Sequence, residues 1–289
     1  MTSTLQLDHF VIAVLDLAGA VADYQALGFN VLPGGKHVHA PTENALVVFE
    51  DGLYFELIEW TQADPGDRWY RELSGHGEGL VDFALVPPDI KEILMQAEAH
   101  HLGYRGPIDG SRVTPNGDRL EWLLGRPASA ELPFFCADIT PRSLRVAEGD
   151  VRIQRNRVQG ISSVAVAVAD AAMALARYRR LLASPDQLVT FADALPVEEL
   201  GLDAAKVTIN GADILLVSAQ PSATTPAAAW LNLLLAKRGP GAYALAARIA
   251  DGGVPALHGP DKTRGVYIEL ATSDVPLTRR VFPGGGQAL

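Results

Sequence analysis

Apolar runs of six to eight residues, each giving way at an aspartate to a stretch of helical period, recur along this chain. The first is LDHFVIAV, where Asp16 follows His9 by seven residues and opens DLAGAVADYQALGF. The same spacing returns from Asp82 to Asp89 in LVDFALVPPDI and from Ser163 to Asp170 in SSVAVAVAD. A looser version in YALAARIAD runs from Tyr243 or Ala244 to Asp251. A repeat of this kind marks one supersecondary unit per copy and decides how the rest of the chain is read. The stretches LAGAVADYQAL, IKEILMQAEAHHL and AAMALARYRRLL repeat apolar residues at three and four, as helices with one buried face do. Asp16, Asp89 and Asp170 suit the N-cap, where a carboxylate accepts orphan backbone N–H groups at the positive helix end. Gly28 and Gly103, in LGF and LGY, suit the left-handed position just past a helix.

Three more strands are predicted after the first helix: NVLPGGKHVHA, split by Gly34 and Gly35, then NALVVFED, then the alternating LYFELIEW after a tight EDG turn. The unit is therefore βαβββ. RGPIDGSRV, RLEWLLG and ELPFFCADI complete a second copy around a PNGD turn; QLVTFADA, AKVTIN and ADILLVSA complete a third around Asn210-Gly211. The fourth copy is truncated, since only GGVPALHGPDKTR separates Asp251 from the strand GVYIELAT. The connectors repeat too: Trp69 lies 13 residues before Asp82, and Trp230 lies 13 before Tyr243. The prediction is an α+β protein of tandem βαβββ modules, with domains over 1–142 and 157–289 joined by the charged, aperiodic RSLRVAEGDVRIQRN.

Composition narrows the setting. Of 289 residues, 48% are hydrophobic and 20% charged, which suffices for a real core. The net charge of −10 provides no basic stripe for nucleic acid or an anionic membrane. Cys136 is the single cysteine, so an intrachain disulfide is excluded and a cytoplasmic setting is the default. MTSTLQLDHF does not read as a secretory signal, and no apolar run approaches the roughly 18 to 20 residues of a membrane span.

Paired βαβββ units with His on the first strand and Glu on the last resemble the vicinal-oxygen-chelate superfamily. The segments LDHFVIAVLDL, LGFNVLPGGKH, TENAL and YFELIEW resemble its glyoxalase-like-domain branch, and SRVTPNGDRLEWLL with LPFF resembles that branch's second unit. The resemblance covers residues 5–140, and the C-terminal half only through the repeat. It implies two modules pairing into a curved-sheet cleft that holds a divalent metal (Zn, Fe, Mn or Ni) and a small-molecule substrate. Family membership alone leaves the reaction open, because isomerases, lyases, dioxygenases and drug-sequestering binders share the fold.

His9 shares a strand face with Val11 and Ala13, where an imidazole suits a metal ligand or a hydrogen-bonded core residue. In LYFELIEW, Tyr54, Glu56 and Ile58 share one face and Glu59 lies on the other; the resemblance selects Glu56 as inward. An inward carboxylate on an apolar strand calls for a counter-charge. The resemblance makes His37, in the GG-x-H pattern, the pocket histidine, with Thr42 and Asn44 as its polar neighbours; His39 reads as a solvated loop residue. Asp82 stands where the second unit repeats His9, as a fourth ligand or a group orienting one, and Phe135 is expected where that unit repeats Glu56. Arg112, Asn116 and Trp122 suit an anion-binding or stacking wall, with Phe134 beside them. The metal set that the resemblance implies is His9, Glu56, His37 and Asp82, with Glu56 and His37 expected as the catalytic pair and Asn44, Arg112, Trp122 and Phe134 as the substrate wall. In the second half Ser163 and Leu215 stand at the His9 and Glu56 positions and only Glu269 survives, so that half reads as a degenerate copy serving stability or association, a homodimer included. Three functions stay open: a metal-dependent enzyme of lyase, isomerase or dioxygenase type that stabilises an enolate from a small oxygen-rich molecule, a metal-free protein sheltering an aromatic compound against Tyr54, Trp122, Phe134 and Phe135, and a scaffold that acts only as a dimer.

Overall fold

The aspartate-capped pattern sets out the elements of the computed structural model, which describes residues 4–183, 188–272 and 275–283. The first unit is β1 (Gln6–Val14), α1 (Leu17–Ala26), β2 (Leu32–His37), β3 (Thr42–Val48) and β4 (Tyr54–Trp60). A connector helix α2 (Arg68–His76) leads to β5 (Gly79–Val86), α3 (Ile90–Ala99), β6 (Tyr104–Val113), β7 (Arg119–Pro127) and β8 (Phe134–Asp138). The short α4 (Arg142–Arg145) begins the segment between the halves. The third unit is β9 (Val158–Ala167), α5 (Ala171–Leu182), β10 (Val189–Val197), β11 (Leu202–Ile209) and β12 (Ala212–Ala219). A second connector helix α6 (Pro226–Arg238) precedes β13 (Gly241–Ile249), the three-residue β14 (Ala256–His258), β15 (Tyr267–Ala271) and α7 (Leu277–Val281). The fourth unit is short, as its sequence length requires.

Local chemistry explains where helices begin. Asp16 accepts from the Gly19 N–H at 3.1 Å, Asp89 from Lys91 at 2.7 Å and Asp170 from Met173 at 2.9 Å. Removing such a cap costs about 1 kcal/mol. Asn210 and Gly211 take φ of 49° and 82°, the left-handed pair of a two-residue hairpin between β11 and β12.

The first two units close into an eight-stranded barrel in the order β1-β4-β3-β2-β6-β7-β8-β5. The last two form a seven-stranded sheet, β10-β11-β12-β9-β13-β15-β14, with the same central arrangement but no closure. In both, the first strands of paired units run antiparallel (β1/β5, β9/β13) and each lies parallel to its own unit's last strand. One apolar cluster takes in Phe10, Phe55 and Phe83 of the barrel with Val164, Leu245 and Ile268 of the second sheet, so the sheets share a core. Alternation sends Phe10, Ile12, Phe55 and Leu57 to that core and leaves His9, Val11, Tyr54, Glu56 and Ile58 facing the barrel interior. Among the described residues no helix is long and apolar enough to cross a membrane.

Register corrects one expectation. Val11 is paired with Glu56 and its counterpart Ala84 with Phe134, so Phe134, not Phe135, stands at the second unit's glutamate position. Phe135 faces the opposite side and stacks on Tyr104 at 5.1 Å. A one-residue slip exchanges the faces of a strand, and the apolar run LPFF carries no alternation to fix it.

Candidate active site

The barrel encloses a cavity of about 240 Å³. Three of the singled-out side chains converge in it. His9 Nε2 lies 3.6 Å from Glu56 Oε2, and His37 Nε2 lies 3.7 Å from Glu56 Oε1. The strands bring them together: β1 and β4 are adjacent and parallel, and β3 with β2 carries His37 around the wall.

Each imidazole is held by its other nitrogen. His9 Nδ1 is 2.8 Å from Asp8 Oδ2, and His37 Nδ1 is 2.8 Å from the Thr42 hydroxyl. An ionised carboxylate only accepts, so His9 carries a proton on Nδ1. His9 also stacks on Tyr54 at 4.6 Å and meets the edge of Phe134 at 5.2 Å. Asn44 links the trio to a cation: its Nδ2 donates to Glu56 Oε1 at 2.5 Å, and its Oδ1 accepts from Arg112 Nη1 at 3.0 Å.

Burial and charge set the protonation states. Burial alone would raise Glu56, but His9, His37, the Asn44 amide and Arg112 outweigh it and hold the carboxyl below its usual range. Burial holds His37 below the ordinary imidazole value against the pull of Glu56. Burial likewise lowers Arg112, and no carboxylate among the described residues is ion-paired with it. Arg112 Nε and the Ser111 hydroxyl, neighbours on the cavity wall, are buried without hydrogen-bond partners.

The remaining expectations divide. Trp122 and Phe134 line the cavity, with Trp122 meeting His37 edge-on at 5.9 Å. His39 is exposed at its mouth, and Asn116 is exposed in the β6–β7 turn, away from the cavity lining. Asp82 is not brought to the trio: Arg68 forms a short ion pair with it, Trp69 Nε1 donates to it at 2.9 Å and the Phe83 N–H at 2.9 Å. Its carboxylate lies behind Trp69, outside the cavity lining. Among the described residues no three His, Cys, Asp or Glu side chains are spaced as a finished metal site.

Sequence reading passed over Asp8 and the arginines that serve it. Asp8 and His9 are consecutive on a strand and would face opposite ways, but a register shift between Leu7 and His9 against β5 breaks the alternation. Arg145 Nη1 donates to Asp8 Oδ2 at 2.8 Å and to the Tyr54 hydroxyl at 2.6 Å; Arg142 Nη2 donates to Asp8 Oδ1 at 2.5 Å. The segment read as a linker therefore supports His9 from beneath. An arginine pair in a short charged run was the only available signal.

The second sheet fills the matching positions differently. Its register puts Ser163 at the His9 position, Leu215 at the Glu56 position and Glu269 at the Phe134 position. α7 crosses this face: Arg280 donates to Ser163 Oγ at 3.0 Å and Asp213 at 2.7 Å, Arg279 pairs with Glu269, and Val281 and Phe282 pack with Trp230 and Tyr267.

Comparison with known proteins agrees with this architecture. A hypothetical protein from Staphylococcus aureus superposes with a TM-score of 0.67 at 14% identity, over 92% of this chain and 99% of that one. A triple mutant of 4-hydroxymandelate synthase from Streptomyces coelicolor gives 0.55 at 13% identity, over 86% and 72%. A xylose isomerase-like TIM barrel/4-hydroxyphenylpyruvate dioxygenase fusion protein gives 0.51 at 16% identity, over 85% of this chain and 37% of that one. At these identities the likeness is one of fold. No curated protein matches the chain in sequence. The family description "Glyoxalase-like domain" matches residues 7–182, more than half of the chain, and the protein therefore belongs to the glyoxalase-like branch of the vicinal-oxygen-chelate superfamily.

Proposed function

We propose that the barrel cavity is the active site of an enzyme acting on a small, oxygen-rich anion, with His9, His37 and Glu56 as its reactive group. One observation carries this reading: two imidazole Nε2 atoms face opposite oxygens of a single buried carboxylate, at 3.6 and 3.7 Å. With its Nδ1–H donating a hydrogen bond to Asp8, a His9 ring that holds no second proton turns a lone pair toward a carboxylate oxygen. A cation between them, either a proton or a divalent ion, reconciles that contact.

The donor set fits a divalent metal in chemistry. Two imidazoles and one carboxylate suit Fe, Zn, Mn or Ni, and ligating histidines are usually held through the second nitrogen as these are. His9, His37 and Glu56 would hold the ion; Asp82 would stay with Arg68. Bound there, the ion would supply Lewis-acid stabilisation of negative charge on substrate oxygen, or oxygen activation if it is iron.

The chain's own groups do the rest. Arg112 and Ser111 offer unspent donors to a carboxylate or other oxyanion. Tyr54, Trp122 and Phe134 close the apolar sides and keep water from the reacting atoms. Glu56 is held ionised and is the proton acceptor, while Asn44 fixes its orientation and passes on the charge of Arg112. Such a site suits abstraction of a proton beside a carbonyl, as in lyase or isomerase chemistry.

The aromatic wall favours a second reading, a metal-free binder of a small aromatic compound. Elemental analysis of the purified chain separates the two. The enzyme reading expects near-stoichiometric metal, lost in a His9→Ala, Glu56→Gln double variant. Metal-free protein whose ligand binding is unchanged in that variant would establish the binder instead.

A further inference from the structure

A second cavity of about 160 Å³ lies where the halves meet, between α2 and β5 on one side and α6 and β13 on the other. It shares no lining residue with the barrel cavity. The repeat explains why Trp230, which lines it, is short of an acceptor. In the first half Trp69 Nε1 donates to Asp82 at 2.9 Å. α6 repeats the tryptophan as Trp230, but the register puts Ala244 where Asp82 stands. Trp230 is 9% exposed, and its Nε1 is buried with no partner.

Arg238 adds a second unspent donor to the same cavity, since its Nη2 is also buried without a partner. The guanidinium crosses from α6 to lie over Gly79 of β5, where a Cβ would stand 2.5 Å from Nη1. The two glutamates lining the cavity make their hydrogen bonds elsewhere, although the charge of Glu72 also acts on Arg238. Glu72 accepts from Arg68 at 2.9 Å, and Glu78 from Arg264 at 3.3 Å and from the Leu15 N–H at 2.8 Å. Buried donors without acceptors are costly, charged ones most of all. An arginine and an indole N–H, here two helical turns apart on α6, are donors that a carboxylate takes. Leu80, Leu234, Tyr243 and Pro260 give the lining its apolar part, and His76 and Lys237 add polar groups to it.

We propose that this cavity binds a small carboxylic acid with an apolar body, its carboxylate accepting from Arg238 and Trp230 in place of the side chain that Ala244 lacks. The ligand touches α6 of one half and β5 of the other, so it ties the halves together independently of the chemistry in the barrel.

Calorimetric titration of the full chain with benzoate tests this. The binding that remains in Arg112→Met, which removes the carboxylate donor of the barrel cavity, reports this site, and it should weaken at least tenfold when Arg238→Met or Trp230→Phe is added. Benzylamine, with the charge reversed, should not bind. Should Arg238→Met misfold, as judged by circular dichroism, Trp230→Phe carries the comparison. The proposal is overturned if benzoate does not bind, if both variants at this cavity bind it as Arg112→Met alone does, or if Arg112→Met abolishes binding. It is also overturned if inorganic phosphate binds here and benzoate does not. Metal content of the trio is unaffected by any of these results, so the two readings fail separately.

Discussion

Arg145 donates to Asp8 at 2.8 Å across 137 residues of sequence, and the same carboxylate oxygen meets His9 Nδ1 at 2.8 Å. Both partners are almost fully buried. Arg145→Met leaves an underpaired buried carboxylate and should cost about 3–5 kcal/mol, read by denaturant unfolding. Burial would raise Asp8, but Arg145 and Arg142 hold it well below 3.8. With the folded value below the unfolded one, Asp8 contributes stability above pH 3.8 that is lost as pH falls toward the folded value. Removing Arg145 should move acid unfolding to higher pH. An acid transition that stays put, followed by circular dichroism, would contradict the assignment.

Glu56 pulls the His37 value upward against burial. Glu56→Gln removes that pull, so His37 should titrate lower still, as read from its ring resonances by NMR. An unmoved or higher value would mean that the two groups do not share the cavity.

Asn44 sits between Glu56 and Arg112, bonding one at 2.5 Å and the other at 3.0 Å. Asn44→Ala strands both charged groups and should destabilise the chain by about 1–3 kcal/mol in urea unfolding. Retention of full stability would show that solvent replaces the amide without loss.

Arg280 anchors α7 to the second sheet through Ser163 and Asp213. Arg280→Met should cost about 1–3 kcal/mol and speed proteolytic removal of the C-terminal segment, followed by mass spectrometry. Unchanged cleavage would assign the docking of α7 to Val281 and Phe282 alone.

Legibility followed the range of each interaction. Helix starts at Asp16, Asp89 and Asp170 were readable because a cap is made by a side chain with N–H groups two or three residues on. The shared face of Tyr54, Glu56 and Ile58 followed from strand period, and so did that of His9 and Val11. Asp82 looked equal to His9 by spacing, yet Arg68, fourteen residues away on α2, takes its charge. Phe134 and Phe135 exchanged places because nothing in an apolar run states which residue a partner strand will face.

The sequence by itself determined the repeating unit, the truncation of the last copy and the residue types available for chemistry, since these depend on periodicity, caps and composition. Tertiary structure decided which of them meet. Barrel closure carried His37 to Glu56, a broken register turned Asp8 beneath His9, and α7 covered the face where Ser163 and Leu215 stand at the positions of His9 and Glu56. Those outcomes rest on pairings between strands and charges far apart in the chain, whose free energy exists only once the backbone has closed around them.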